Sequence, residues 1–124
     1  MNGVLLVGIG GLIGSIARYL VALVLPLSAT GFPFATLVVN LAGSFLIGFI
    51  NELSISTTLL TPQARLFLAT GFCGGFTTFS SAMYETMALT KEGQMLSAGM
   101  YVAGSAVGGM VALYSGMVCA KLWS

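Results

Sequence analysis

A chain of 124 residues in which 57% are hydrophobic and only 6% charged is no ordinary soluble domain, where about a quarter of residues carry charge. Net charge is +1, with no histidine and three acidic residues, so general acid–base chemistry, metal hydrolysis and nucleophilic triads have almost no candidates and no basic face suggests nucleic acid. The composition is that of an all-α integral membrane protein, read as a single domain over residues 1–124.

Four apolar stretches of about twenty residues each match the thickness of a bilayer. The first runs from Val4 to Leu25 and stops at Pro26. It lacks a basic leader and a cleavage site, so it is expected to stay as a membrane helix. Gly10 and Gly14 form a GxxxG pair, with Gly11 and Ser15 as a second small pair beside it, a face on which backbones can approach closely. Arg18 follows one turn later. It either points along that packed face toward a vestibule or snorkels to the headgroups.

A loop from Pro26 to Pro33 leads to the second span, Phe34 to Leu53. Thr36, Asn40, Ser44 and Gly48 are spaced by four and share one face. A buried amide in hydrocarbon needs a hydrogen bond, so Asn40 faces a partner helix or a water path. The stretch from Asn51 to Thr61 is short and polar, and Pro62 suits the first turn of the third span, which extends to Leu89.

Gly74 and Gly75 weaken that third helix in its middle, and Thr77, Thr78, Phe79 and Ser80 follow. The pattern predicts a break near the membrane midplane, where freed carbonyls can form an ion site; a glycine-lined packing face is the alternative. Beyond it Thr78, Ser81 and Glu85 share a face, while Phe79 projects elsewhere with Ala82 and Met83. Lys91, Glu92 and Gly93 make a tight loop. The fourth span, Gln94 to Trp123, carries Ser97, Tyr101 and Ser105 as a hydroxyl track and Gly104 with Gly108 as a second close-packing pair. Trp123 and Lys121 suit the headgroup boundary. Cys73 and Cys119 sit in apolar surroundings and read as small core residues.

Four spans put both termini on one side of the membrane. Arg65 and Lys121 fall on that side, Arg18 and Lys91 on the other, so the positive-inside rule expresses no preference. Such a chain can insert both ways, and two opposed copies would supply inverted-repeat symmetry.

Three stretches carry a family resemblance: Gly10-Gly11-x-x-Gly14-Ser15-x-x-Arg18-Tyr19, Thr36-Leu37-x-x-Asn40-Leu41, and Thr70-Gly71-Phe72-Cys73-Gly74-Gly75-Phe76-Thr77-Thr78-Phe79-Ser80. With the length, the span count and the weak charge bias, they resemble the Fluc, or CrcB-type, fluoride channels over essentially the whole chain. The resemblance implies a passive fluoride channel that lowers cytoplasmic fluoride from the bacterial plasma or inner membrane. It implies an antiparallel, dual-topology homodimer with two pores and a structural sodium ion (Na+) at its centre. The sodium ligands it implies are the backbone carbonyls of Gly74 and Thr77 from both copies. The fluoride pathway it implies uses Asn40, Phe79, Tyr101 and Ser105, with Glu85 after the break and Arg18 near the aqueous vestibule; Thr78 and Ser81 are further hydroxyls on that route. Two positions depart from the family pattern. Ala82, followed by Met83, stands where a second phenylalanine is usual, and Gly109 where a further hydroxyl is usual.

Two other classes compete. A small dual-topology exporter of drugs or cations has similar length and span count, but such exporters carry a glutamate in the middle of the first helix, where this chain has Gly and Ser. A non-conducting scaffold subunit would account for the glycine faces and leave Asn40, Ser105 and the Thr-Thr-Phe-Ser run without a role.

Overall fold

The computed structural model describes residues 2–27 and 31–123; Ser28, Ala29 and Thr30, within the expected Pro26–Pro33 loop, lie outside the described residues. The described chain is helical, with four stretches long and apolar enough to cross a membrane: Gly3–Val24, Phe34–Ser56, Pro62–Lys91 and Met95–Trp123. The first is α1, started by Asn2, whose side chain accepts the Val4 N–H at 2.6 Å. The second is α2, Phe34–Ser56, three residues longer at its end than the apolar run that ends at Leu53.

The third span is composite. Thr61 caps α3 (Pro62–Arg65) by accepting the Ala64 N–H at 3.0 Å, with Pro62 in the first turn. A π-helical segment, Leu66–Cys73, follows, then a single turn, α4 (Gly74–Phe76). Thr77 and Thr78 are extended, and α5 (Phe79–Lys91) begins with Thr78 as its cap, its hydroxyl accepting the Ser81 N–H at 3.2 Å. Gly93, at φ +78°, makes the left-handed turn out of α5 into α6 (Met95–Trp123).

The interruption therefore stands two residues beyond the glycines that suggested it. Gly74 is helical, at φ −62° and ψ −37°. The physical reason is that neighbouring glycines serve close approach. A Cβ on Gly75 would collide with the Gly11 carbonyl oxygen, one on Gly14 with the Phe72 carbonyl oxygen, and one on Gly10 with the Phe67 carbonyl oxygen. So α1 lies directly on the backbone of the π segment and α4, with almost no side chain between them.

The second pairing is α2 with α6. Gly48 meets the Leu113 carbonyl and Gly116 the Phe45 carbonyl, again at distances that exclude a Cβ. Of the expected Gly104–Gly108 pair only Gly108 meets a neighbour, the Leu41 side chain; Gly104 is open. At the far end Lys121 Nζ lies 3.6 Å from the Glu52 carboxylate. Helix α5 rests on the opposite end of α6, around Ala82, Leu89, Ala98 and Tyr101. Cys73 is buried with Ile50 and Ala69 in a separate cluster, and both cysteines are free thiols.

Candidate functional site

Where the third span is interrupted, side chains from α1 and α2 take over backbone groups that the helix has released. The Asn40 amide makes two hydrogen bonds to one residue: its Nδ2 donates to the Thr78 carbonyl at 3.0 Å, and its Oδ1 accepts the Thr78 N–H at 2.8 Å. Arg18 Nε donates to the Gly75 carbonyl at 3.1 Å, placing a cation at the negative end of the helix that finishes with α4. Arg18 thus reaches inward to the interruption from α1. The Thr77 hydroxyl folds back to the Cys73 carbonyl at 2.9 Å.

These diversions leave particular carbonyls without the donors a continuous helix would supply. The Thr78 N–H, four residues beyond Gly74, goes to Asn40; the Ser81 N–H, four beyond Thr77, goes to the Thr78 hydroxyl. Gly74 is exposed, and a Cβ there would meet nothing within 4 Å. The Gly74 carbonyl is therefore a hard oxygen donor on an exposed residue and the Thr77 carbonyl one on a half-buried residue, and their chemistry fits an alkali cation.

Beside the interruption a groove of about 360 Å³ opens between α2, α5 and α6. Asn40, Thr78, Phe79, Tyr101 and Ser105 all line it, joined by Ser44, Ile47, Ala82, Met83 and Thr86. Among the described residues no charged side chain lines it. Phe79 is 77% exposed and stands at its open side.

The donors still available in this groove follow from counting bonds. Asn40 retains one of its two N–H groups. The Thr78 hydroxyl accepts from Ser81 and keeps its own proton to give. The Thr86 hydroxyl is committed to the Ala82 carbonyl at 2.7 Å. Ser105 Oγ is buried and has no hydrogen-bond partner, which in a packed protein is costly unless a ligand or water completes it.

Glu85, Ser81 and Arg18 do not line the groove. The Glu85 carboxylate lies behind it, accepting the Thr36 hydroxyl at 2.9 Å and the Tyr101 hydroxyl at 3.0 Å. Tyr101 is only 1% exposed, its ring held edge-on by Phe32 at 5.5 Å, so it spends its O–H on Glu85 and meets the groove through its ring. Ser44 and Ile47 are among the groove residues that the sequence does not mark as site residues, as are Thr86 and Val102; for Ser44 the spacing of four after Asn40 is the available signal.

A family model described as "CrcB-like protein, Camphor Resistance (CrcB)" matches residues 5–117. A protein of Chlorobaculum tepidum named "Fluoride-specific ion channel FluC" is 68% identical over 123 residues, covering 99% of this chain and 98% of its own. One of the same name from Chlorobium luteolum is 61% identical, covering 98% of this chain and 94% of its own. A third, from Geobacter sulfurreducens, is 42% identical with 98% of both chains covered.

Proposed function

The chain belongs to the CrcB family, and on that premise we propose that it is a passive, fluoride-selective channel of the cell membrane that lets fluoride leave the cytoplasm. Four spans make it a multi-pass membrane protein, and membership of a channel family points away from an enzyme. The observation that carries the reading is the groove with its buried, unpaired Ser105 hydroxyl and no carboxylate among its lining residues. Fluoride sheds a very strong hydration shell on entering a narrow path. The replacements here are donors: the spare Asn40 N–H, the Ser105 and Thr78 hydroxyls, and the positive edge of the Phe79 ring. Without a fixed positive charge in the groove, the ion can leave as readily as it enters. A cation or drug exporter needs a carboxylate in its path, and Glu85 is tied to Thr36 and Tyr101.

The working unit under this reading is an antiparallel homodimer with two pores. Its supports are the balanced charges, the exposed Phe79 at the open side of the groove, and the wide apolar surface of α1 and α6. The Gly74 and Thr77 carbonyls of two copies would hold one sodium ion near the bilayer midplane; the ion supplies a fixed positive charge that ties the copies together. Arg18 and Asn40 keep those carbonyls available by holding the backbone on either side.

Fluoride efflux from proteoliposomes, read with a fluoride electrode against a chloride control, tests the proposal. Rapid fluoride release with little chloride release is expected. Equal release of both anions, or release of neither, would overturn it.

A further inference from the structure

The face that α2 turns toward the groove continues beyond it. Asn40, Ser44, Ile47 and Asn51 recur at steps of four, three and four, one side of a helix, and cover about 16 Å at the usual rise per residue. Asn40, Ser44 and Ile47 line the groove. Ile47 and Asn51 line a second cavity, about 370 Å³, walled on its other side by Arg65 and Thr70 of the third span. Ile47 is thus the partition common to both.

The second cavity has the chemistry of an anion site. Arg65 Nε donates to Asn51 Oδ1 at 2.9 Å, which aims the guanidinium and commits one of its five donors. Thr70 adds a hydroxyl, and among the described residues no carboxylate lines either cavity. Gly109 of α6 packs beside Ser44, where a Cβ would stand in ordinary contact, 3.6 Å from Ser44 Oγ. Ser54 and Ser115 turn their hydroxyls back onto carbonyls of their own helices, whereas Ser44 lines the groove.

Resting on the channel reading, we propose that the Asn51–Arg65–Thr70 cavity is a small-anion site that collects the permeating ion and passes it over Ile47, by way of Ser44, into the groove. A single fixed cation in a recess with apolar walls raises the local anion concentration, while the groove proper stays uncharged and releases the ion. Ile47 is the one apolar residue of the four on that face, so it sets the constriction.

The test is fluoride flux from proteoliposomes over a range of fluoride concentrations. Arg65→Gln should raise the half-saturating concentration about five- to tenfold, the scale of enhancement from a charged recess, with maximal flux little changed. Arg65→Lys should restore most of the loss. Ile47→Trp should block at every concentration, and Ile47→Ala should conduct at least as well as the parent. If Arg65→Gln and Ile47→Trp both conduct like the parent while Ser105→Ala is slowed, the antechamber is wrong and the groove stands. If Ser105→Ala is also unchanged, the groove reading itself fails. Should Ile47→Trp not fold, Thr70→Cys in a chain with Cys73→Ser and Cys119→Ser replaces it. An anionic thiol reagent should then close the path, with fluoride slowing the modification; unchanged flux after complete labelling would reject the antechamber.

Discussion

The two halves of the third span are built on opposite principles. From Pro62 to Phe76 the chain is organised by missing side chains: Gly71 and Gly75 let its backbone lie against Gly10, Gly11 and Gly14 of α1. From Phe79 to Lys91 it is organised by side chains that are present, with Phe79, Ala82, Met83 and Thr86 lining the groove and Glu85 holding Tyr101 behind it. One half is a structural seam that tolerates no added volume where it faces α1; the other is a groove wall on which a few polar groups stand among apolar ones, so that altered chemistry matters more there than added volume. The lesson is that a glycine in a membrane helix reports contact far more reliably than it reports a break.

The strongest way to break this comparison is a methyl-bearing residue in the seam. Gly75→Val places carbon atoms against the Gly11 carbonyl and should prevent recovery of folded protein, because overpacking that usually costs about 1–3 kcal/mol meets backbone here and cannot be relieved by a rotamer. Gly74→Val, one residue earlier, meets nothing within 4 Å and should leave the isolated subunit folded. Thermal unfolding and gel filtration in detergent distinguish the pair. If both variants behave alike, the seam is misplaced.

Asn40→Asp is the next largest effect. It keeps the acceptor for the Thr78 N–H but sets a carboxylate oxygen against the Thr78 carbonyl and into the path of an anion. At about 4 Å and an effective dielectric near 20 the repulsion is about 4 kcal/mol, on the order of a thousandfold in fluoride flux. Flux within tenfold of the parent would remove Asn40 from the path.

Ser105→Ala and Phe79→Ile sharpen the view of the second half. Loss of a hydrogen bond to a charged partner is worth about 1.5–3 kcal/mol, so Ser105→Ala should slow fluoride flux about tenfold or more with no loss of stability, since its hydroxyl has no partner among the described residues. Phe79→Ile keeps bulk, removes the ring edge and should act similarly. A Ser105→Ala variant that is less stable but conducts normally would make the hydroxyl structural.

The smallest effect belongs to the junction. Thr77→Ala deletes one hydroxyl-to-carbonyl bond to Cys73 and a methyl group packed on Gly43, and should lower stability by about 1 kcal/mol while fluoride flux holds. A large fall in flux would mean that the threonine side chain, and not its backbone, serves the ion.

Much of this architecture was legible in the residues. Four apolar runs could only be spans, Pro62 marked a helix start, and Gly93 marked the turn between α5 and α6. Asn40, Thr78, Tyr101 and Ser105 stand out because polar groups in hydrocarbon must meet something, whereas Phe79 is pointed to only by the family resemblance; one groove gathers all five. The register of the interruption was not legible. It depends on which backbone groups Asn40 and Arg18 capture, and those residues lie 38 and 57 positions away from their partners along the chain. Nor does a largely apolar run such as Leu66–Cys73 announce a π-helix. Glu85 shared a face with Thr78, yet whether its carboxylate met the groove or the hydroxyls of Thr36 and Tyr101 was decided by tertiary packing alone.

The paired hydrogen bonds between Asn40 and Thr78 have a mechanical consequence. An N–H that has left its helix ordinarily exchanges with solvent as fast as a frayed end does, and a chain interrupted there swings as a hinge. Here the amide grips both the donor and the acceptor of one residue, as a neighbouring strand would, while Arg18 grips the turn before it. The interruption is therefore a welded elbow. Its Thr78 amide should exchange on the slow timescale of the packed core, and the wall of the groove at that point should hold its shape.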